Sequence, residues 1–340
     1  MATRNELLTL FKAAMLPSGN ANFSAEDANV AAINAIVETY GLQNASVREI
    51  RARQNEVFSI IEEAVDELLP KAITDVMGAF ADVRTFARDA EPVFEIRGVG
   101  KTRARMSIIE GARAGIYKAR RLDDKIMQVP VKVETVGLFV TLEEIMMGTI
   151  SLGELMTNIV RGFQERVYIK CIEALRTAKT LAPAANIKSG NGFVSADIDA
   201  LVRIAKAYGT PVIMGFSTAI SKINNGTGWS TNPNAPAVDT EDIRRIGHVT
   251  QYKGTPVVEI PNYLADETNA NFVFKEGDLF ILPTEAKPVK VALKGETHME
   301  EFKHPSGSIE QNVHRMLGVG LMLANNVCIY TDSGITGGLY

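Results

Sequence analysis

The stretch Ser151–Lys179, SLGELMTNIVRGFQERVYIKCIEALRTAK, constrains the fold more than any other part of the chain. Ser151 is a helix-capping residue type and Glu154, three positions on, completes a capping box. Leu152, Met156, Ile159, Phe163, Val167, Cys171, Ala174 and Ala178 recur at steps of three or four, which lays them on one stripe of a helix. In the second half Tyr168, Ile172 and Leu175 add an apolar strip on another side, so this end should touch two layers. At ~1.5 Å per residue such a helix runs to roughly 40 Å, the width of a small domain. The rest of the chain has to be arranged around it.

With 46% hydrophobic and 22% charged residues in a chain of 340, there is enough apolar surface for two cores, and disorder is excluded. The net charge of −4 gives no global pull toward nucleic acid or an anionic membrane, so any basic function is local. Cys171 and Cys328 read as small buried hydrophobes, not as a disulfide. The N-terminus lacks a secretory pattern and no apolar run approaches the ~20 residues of a membrane span. A soluble protein made in the cytoplasm is expected.

Residues 1–90 read as helical. Ser24 with Asp27 opens one helix, with Gly41 as its stop, and Ser46 with Glu49 opens another. In the second, Val47, Ile50, Gln54, Val57, Ile61, Ala64 and Leu68 form a narrow stripe bounded by Pro70. It suits either a helical hairpin within the subunit or an arm reaching a neighbour or scaffold.

The character then changes. Arg97, Lys101, Arg103, Arg105, Arg113, Lys118, Arg120 and Arg121 stand against the single acid Glu110, among Gly98, Gly100, Gly111 and Gly115. FEIR before this stretch and IMQVPVKVETV after it read as strands, which makes the segment a two-stranded excursion from the body. Such a ribbon is marginal alone and wants a partner.

After the long helix a second body alternates helix and strand: a helix at 195–207, the strand PVIMG, a helix from Ser217 to Ile223, the polar loop Asn224 to Pro236, a short helix at 240–246, and strands around TPVVEI, FVF and LFILP. That alternation predicts a mixed sheet with helices on it. PVKVAL and the segment Ile309 to Tyr330 read as strands returning to the long helix.

Catalytic patterns fail on spacing. Gly100-Lys101-Thr102 has Glu95 where a phosphate-binding loop needs glycine, and Arg103 stands where a dinucleotide fingerprint needs one. Gly215-Phe216-Ser217-Thr218-Ala219 imitates a nucleophile elbow, but Ser217 reads as a helix cap. His248, His298, His304 and His314 lack metal-ligand spacing. Glu296, Glu300 and Glu301 read as a solvated face. No catalytic, cofactor or metal residues are expected.

The order of parts resembles the Hong Kong 97-type major capsid protein of tailed bacteriophages. GTPVIMGFSTAISKI, YKGTPVVEIPN and GDLFILPTEAKPVKVAL are similar to axial-domain segments of that family, and SIEQNVHRMLGVGLMLANNVCIYT to its closing strands. The resemblance implies an α+β fold in five parts: a helical N-terminal arm (1–90), an extended basic E-loop (91–132), a peripheral domain (133–191) with the spine helix at 151–179, an inserted axial domain (192–286), and peripheral strands with the C-terminal tail (287–340). It further implies a non-enzymatic protein that self-assembles into hexamers and pentamers of an icosahedral head around double-stranded DNA. Scaffolding, portal and decoration proteins would be its partners, the phage head its location, and the host bacterial cytoplasm its place of assembly. The resemblance also makes Lys101, Lys118 and Asn312 candidate cross-linking residues, since some relatives join a lysine of the E-loop to an asparagine of the neighbouring peripheral domain. The alternatives are an encapsulin-type bacterial compartment and, from another class, a serine hydrolase using Ser217.

Overall fold

The computed structural model describes residues 6, 8–9, 25–41, 47–96, 125–138, 144, 151–226, 245–265, 268, 271–303, 309–335 and 338. Ser24 and Ser46, the proposed caps of the first two helices, lie outside them.

The long helix, here α3, spans Leu152–Leu181, with Ser151 as its N-cap: the Ser151 hydroxyl accepts from the Glu154 backbone N–H at 3.4 Å. Met156, Ile159, Phe163, Val167, Cys171 and Ala178 are buried on one side, and Tyr168, Ile172 and Leu175 on another. Leu155 and Val160 widen the buried stripe. The broad apolar surface follows from what covers it.

Two earlier helices, α1 (Ala25–Tyr40) and α2 (Val47–Met77), both pack on α3. Val57, Ile61, Ala64 and Leu68 of α2 are buried as the stripe requires, together with Phe58, Ile60, Val65 and Leu69. The helix therefore packs into the main core of its own subunit. Both helices use α3 as their support. Pro70 lies inside α2 rather than bounding it. A proline there removes one backbone bond and costs ~3 kcal/mol. Leu69 beside it and Ile73 and Met77 in the next two turns are buried completely, which outweighs that cost. A second correction follows at once: Ala81–Phe86 is a strand, β1, so the helical reading of 1–90 fails at its end.

β1 pairs in parallel with β10 (Val289–Lys303), which pairs antiparallel with β11 (Ile309–Leu321), which pairs antiparallel with β4 (Lys132–Leu138), giving one four-stranded sheet. Its inner face, carrying Val83, Val291, Leu293, Val313 and Leu317, packs on α2 and α3. A two-stranded ribbon, β2 (Val93–Ile96) with β3 (Lys125–Gln128), forms a small sheet of its own.

The second sheet has six strands in the order β5-β12-β9-β6-β8-β7, where β5 is Ile187–Gly190, β6 Pro211–Gly215, β7 Gln251–Tyr252, β8 Thr255–Glu259, β9 Asp278–Pro283 and β12 Cys328–Asp332. Parallel and antiparallel pairs are mixed, as the alternation with α4 (Ser195–Lys206) and α5 (Ser217–Gly226) predicts. Tyr252-Lys253-Gly254-Thr255 turns β7 into β8 with positive φ at Lys253 and Gly254, a two-residue hairpin of the primed type. FVF makes only an isolated bridge, Leu264 with Phe272. Of the short helix at 240–246 only 245–246 is described, and it is helical.

Sheet membership does not follow the divisions at 191 and 286. β5 and β12 both join the six-stranded sheet, and β12 lies inside it between β5 and β9. Cys328, Ile329 and Tyr330 are buried there on both faces, a demand that an interior strand meets. Cys171 and Cys328 are both buried free thiols, and burial pushes the Cys328 thiol up to about 12. No helix among the described residues is long and apolar enough to cross a membrane.

Candidate assembly surface

The ribbon is where the basic segment joins the body. Ile96 pairs with Lys125 across it, so the two described residues that flank the basic segment lie side by side. Strand alternation puts Val93, Glu95, Ile126 and Gln128 on one face and Phe94 and Met127 on the other. The first face is open: Ile126 is 67% exposed and Val93 36%. Phe94 on the second face is fully buried. All eight basic candidates, Arg97, Lys101, Arg103, Arg105, Arg113, Lys118, Arg120 and Arg121, lie outside the described residues. Of the spine-core residues, Met156, Ile159, Phe163 and Val167 are buried, and Leu152 opens α3.

Charged side chains that sequence reasoning passed over tie the elements together. Glu134 on β4 takes Lys170 and Arg166 of α3, the latter at 3.0 Å. Burial pushes the Glu134 carboxyl up, but the bonds from Lys170 and Arg166 outweigh it and hold it below the usual range. Asp278, buried at the start of β9, meets Arg176 at 2.9 Å and Lys179 at 2.6 Å, which fastens the end of α3 to the six-stranded sheet. Asp66 of α2 accepts from the Thr297 backbone N–H at 2.9 Å and from the buried Arg315 guanidinium. Burial raises Asp66 and lowers Arg315 from their ordinary values. These partners are far apart in the chain, and no local pattern announces them.

The catalytic look-alikes resolve plainly. Ser217 is the first residue of α5, not its cap; Phe216 occupies the cap position and its carbonyl accepts from the Ile220 N–H at 3.0 Å. Ser217 is exposed, and among the described residues no histidine is bonded to it. Its neighbour Thr218 instead donates to Glu276. His298 and His314 face each other across β10 and β11, with Glu300 3.3 Å from His298 Nε2 and 3.8 Å from His314 Nε2. They line a cleft of about 500 Å³ with Glu62, Arg88, Lys294 and Glu296. Among the described residues no group of three histidine, cysteine or acidic side chains is gathered to hold a metal ion.

Among solved structures, the chain is similar to the satellite phage P4 procapsid including size determination (Sid) protein at 12% identity and a TM-score of 0.49, over 84% of this chain and 98% of that one. It is similar to Microbacterium phage Oxtober96 at 12% identity and a TM-score of 0.47, over 75% and 90%. It is similar to the holo-SrpI encapsulin complex from Synechococcus elongatus PCC 7942 at 9% identity and a TM-score of 0.38, over 75% and 87%. None of the curated proteins compared with the chain matches it. A family model described as "SPbeta prophage-derived putative capsid protein YonB" matches residues 6–331. That match runs from ahead of α1 into β12, and the chain belongs to this YonB family of prophage-derived capsid proteins.

Proposed function

We propose that the chain is the repeating subunit of an icosahedral phage head, assembling with itself into hexamers and pentamers around double-stranded DNA. Membership of a capsid family over nearly the whole chain carries this reading. A structural, non-enzymatic role agrees with membership of a capsid family. The eight cations of Arg97–Arg121 give the excursion beyond the ribbon a positive charge, and the overall −4 leaves the rest of the subunit acidic enough to receive it. Acceptance by a neighbouring subunit follows, since a shell repeats each ~0–1 kcal/mol ion pair at every contact. Residues 91–132 then act as the extended loop and α3 as the spine of the peripheral part. The head is the location, and scaffolding, portal and decoration proteins are the further partners.

Electron microscopy of the purified, expressed protein tests the reading: shells or capsomers are expected, and a compact small oligomer refutes it. Nucleic-acid content of particles from a native source separates a DNA-filled head from a cargo compartment. Replacing Arg103 and Arg105 together by Glu should leave a folded subunit with native circular dichroism that forms no shells, or shells that dissociate at lower salt. Normal shells with less DNA would make nucleic acid the loop's partner instead.

A further inference from the structure

The four-stranded sheet has two unlike faces. Toward α2 and α3 it presents large aliphatic side chains. On the opposite face, register places Asp82 beside Lys290 beside Gly320, and Arg84 beside Ala292 beside Gly318. Ala292, Gly318 and Gly320 thus form a trough with almost no side chain in it. The β3–β4 connection and the ribbon fill that trough. A Cβ on Gly318 would lie 2.6 Å from the Pro130 carbonyl oxygen, and one on Gly320 would lie 2.5 Å from the Met127 methyl. Glycine inside a strand marks such close approach.

Phe94 is the deepest part of this contact. It forms a small cluster with Val129, Ala292, Met322 and Leu323 that is separate from the two main cores. Phe86 meets its ring edge-on at 5.6 Å between centroids. The Arg84 guanidinium lies over the ring at 5.1 Å and the Lys290 ammonium at 5.9 Å, both attracted to its π face. Asp82 holds both cations, at 3.0 Å from Arg84 and 2.9 Å from Lys290. A ribbon of four residue pairs does not stay ordered by itself. Its order has to come from this socket.

We propose that the ribbon is a separately docked module in which Phe94 is the positioning residue, fixing the direction in which the basic loop is presented to the neighbouring subunit. The inference rests on the reading of that loop as an inter-subunit element. Its energetic independence follows from the cluster's separation: the socket can open without exposing either main core. Folding of the subunit and presentation of the loop are therefore two separable properties.

Amide hydrogen exchange followed by mass spectrometry on the unassembled subunit, with electron microscopy of its assembly, tests this. Phe94→Ala should speed exchange at 93–96 and 125–129 by roughly two to three and a half orders of magnitude, as expected for loss of a buried phenyl ring, while α3 and β9 keep wild-type protection. Shells should fail or become irregular, and Phe94→Leu should restore both ordered ribbon and shells. If Phe94→Ala yields no soluble protein, Gly318→Ala, whose Cβ would meet the Pro130 carbonyl, lifts the β3–β4 connection and the ribbon joined to it and should give the same pattern. Wild-type ribbon exchange in the variant obtained overturns the socket. A loosened ribbon with normal shells overturns its positioning role, while failure of the Arg103→Glu, Arg105→Glu pair to assemble in the same experiment leaves the loop reading intact. Normal shells from that pair overturn the loop reading, whatever the exchange shows.

Discussion

Removing Asp66 should be among the most damaging single changes in the subunit, and removing its partner as well should repair most of the damage. β10 loses register with β11 between Lys294 and His298, so the Thr297 N–H turns away from the ladder to Asp66 of α2, with contacts of 2.9 and 3.1 Å to the two carboxylate oxygens. The same carboxylate takes the Thr297 hydroxyl and the Arg315 guanidinium, whose side chain is only 3% exposed. Asp66→Ala leaves that buried cation without its paired carboxylate, with only the smaller attraction of Glu296 remaining, a cost of ~3–5 kcal/mol. The orphaned Thr297 N–H is of the ~1–3 kcal/mol class and overlaps with it. Against a total of ~5–15 kcal/mol for a domain, this is a large fraction. With Asp66→Leu and Arg315→Met together the charge is gone and only Thr297 remains unpaired, so the double variant should lose ~1–3 kcal/mol. Urea unfolding of the unassembled subunit, followed by far-ultraviolet circular dichroism, measures both through the midpoint at constant slope. A double variant as unstable as the single one would refute the argument, because the cost would then lie in the packing between α2 and β10 and not in the stranded charge.

Phe163→Ala, at the fully buried middle of α3, should cost ~3–5 kcal/mol; an unchanged melting temperature would show that the ring's surroundings collapse without loss. Ser217→Ala should leave assembly and stability within about 0.5 kcal/mol of wild type, the range for an exposed side chain; disappearance of an esterase activity with intact shells would overturn the non-enzymatic reading. Glu134 is held below its ordinary value in the fold, so its contribution is present above the unfolded value of ~4.3 and is lost as pH falls through the folded one. The melting-temperature gap between wild type and Glu134→Gln should accordingly be widest near neutral pH and shrink below about pH 4; a gap that widens in acid would mean the sign is wrong.

Local chemistry wrote α3 into the sequence. Ser151 with Glu154 marks its start, and apolar residues at three- and four-residue steps predict which sides are buried, because both effects act within one or two turns. The type I′ turn at Lys253-Gly254 and the mixed character of the second sheet depend on equally short-range signals. Pro70 misleads at that range: its backbone cost is local, while the burial of Ile73 and Met77 that overrides it belongs to a distant surface. β1 was hidden for a related reason, since ADVRTF becomes a strand only when β10 offers its edge.

The tertiary structure alone decided which strands share a sheet. β12 follows β11 closely in sequence yet lies between β5 and β9, where both faces of Cys328–Tyr330 can be covered. The same holds for charge. Asp66 and Arg315, or Glu134 and Lys170, are ordinary surface residue types until folding takes water away from them, and then each requires its partner. The socket under Phe94 combines both lessons: Gly318 and Gly320 at two-residue spacing hint in the sequence at a close approach, and only the register of β1, β10 and β11 reveals what approaches.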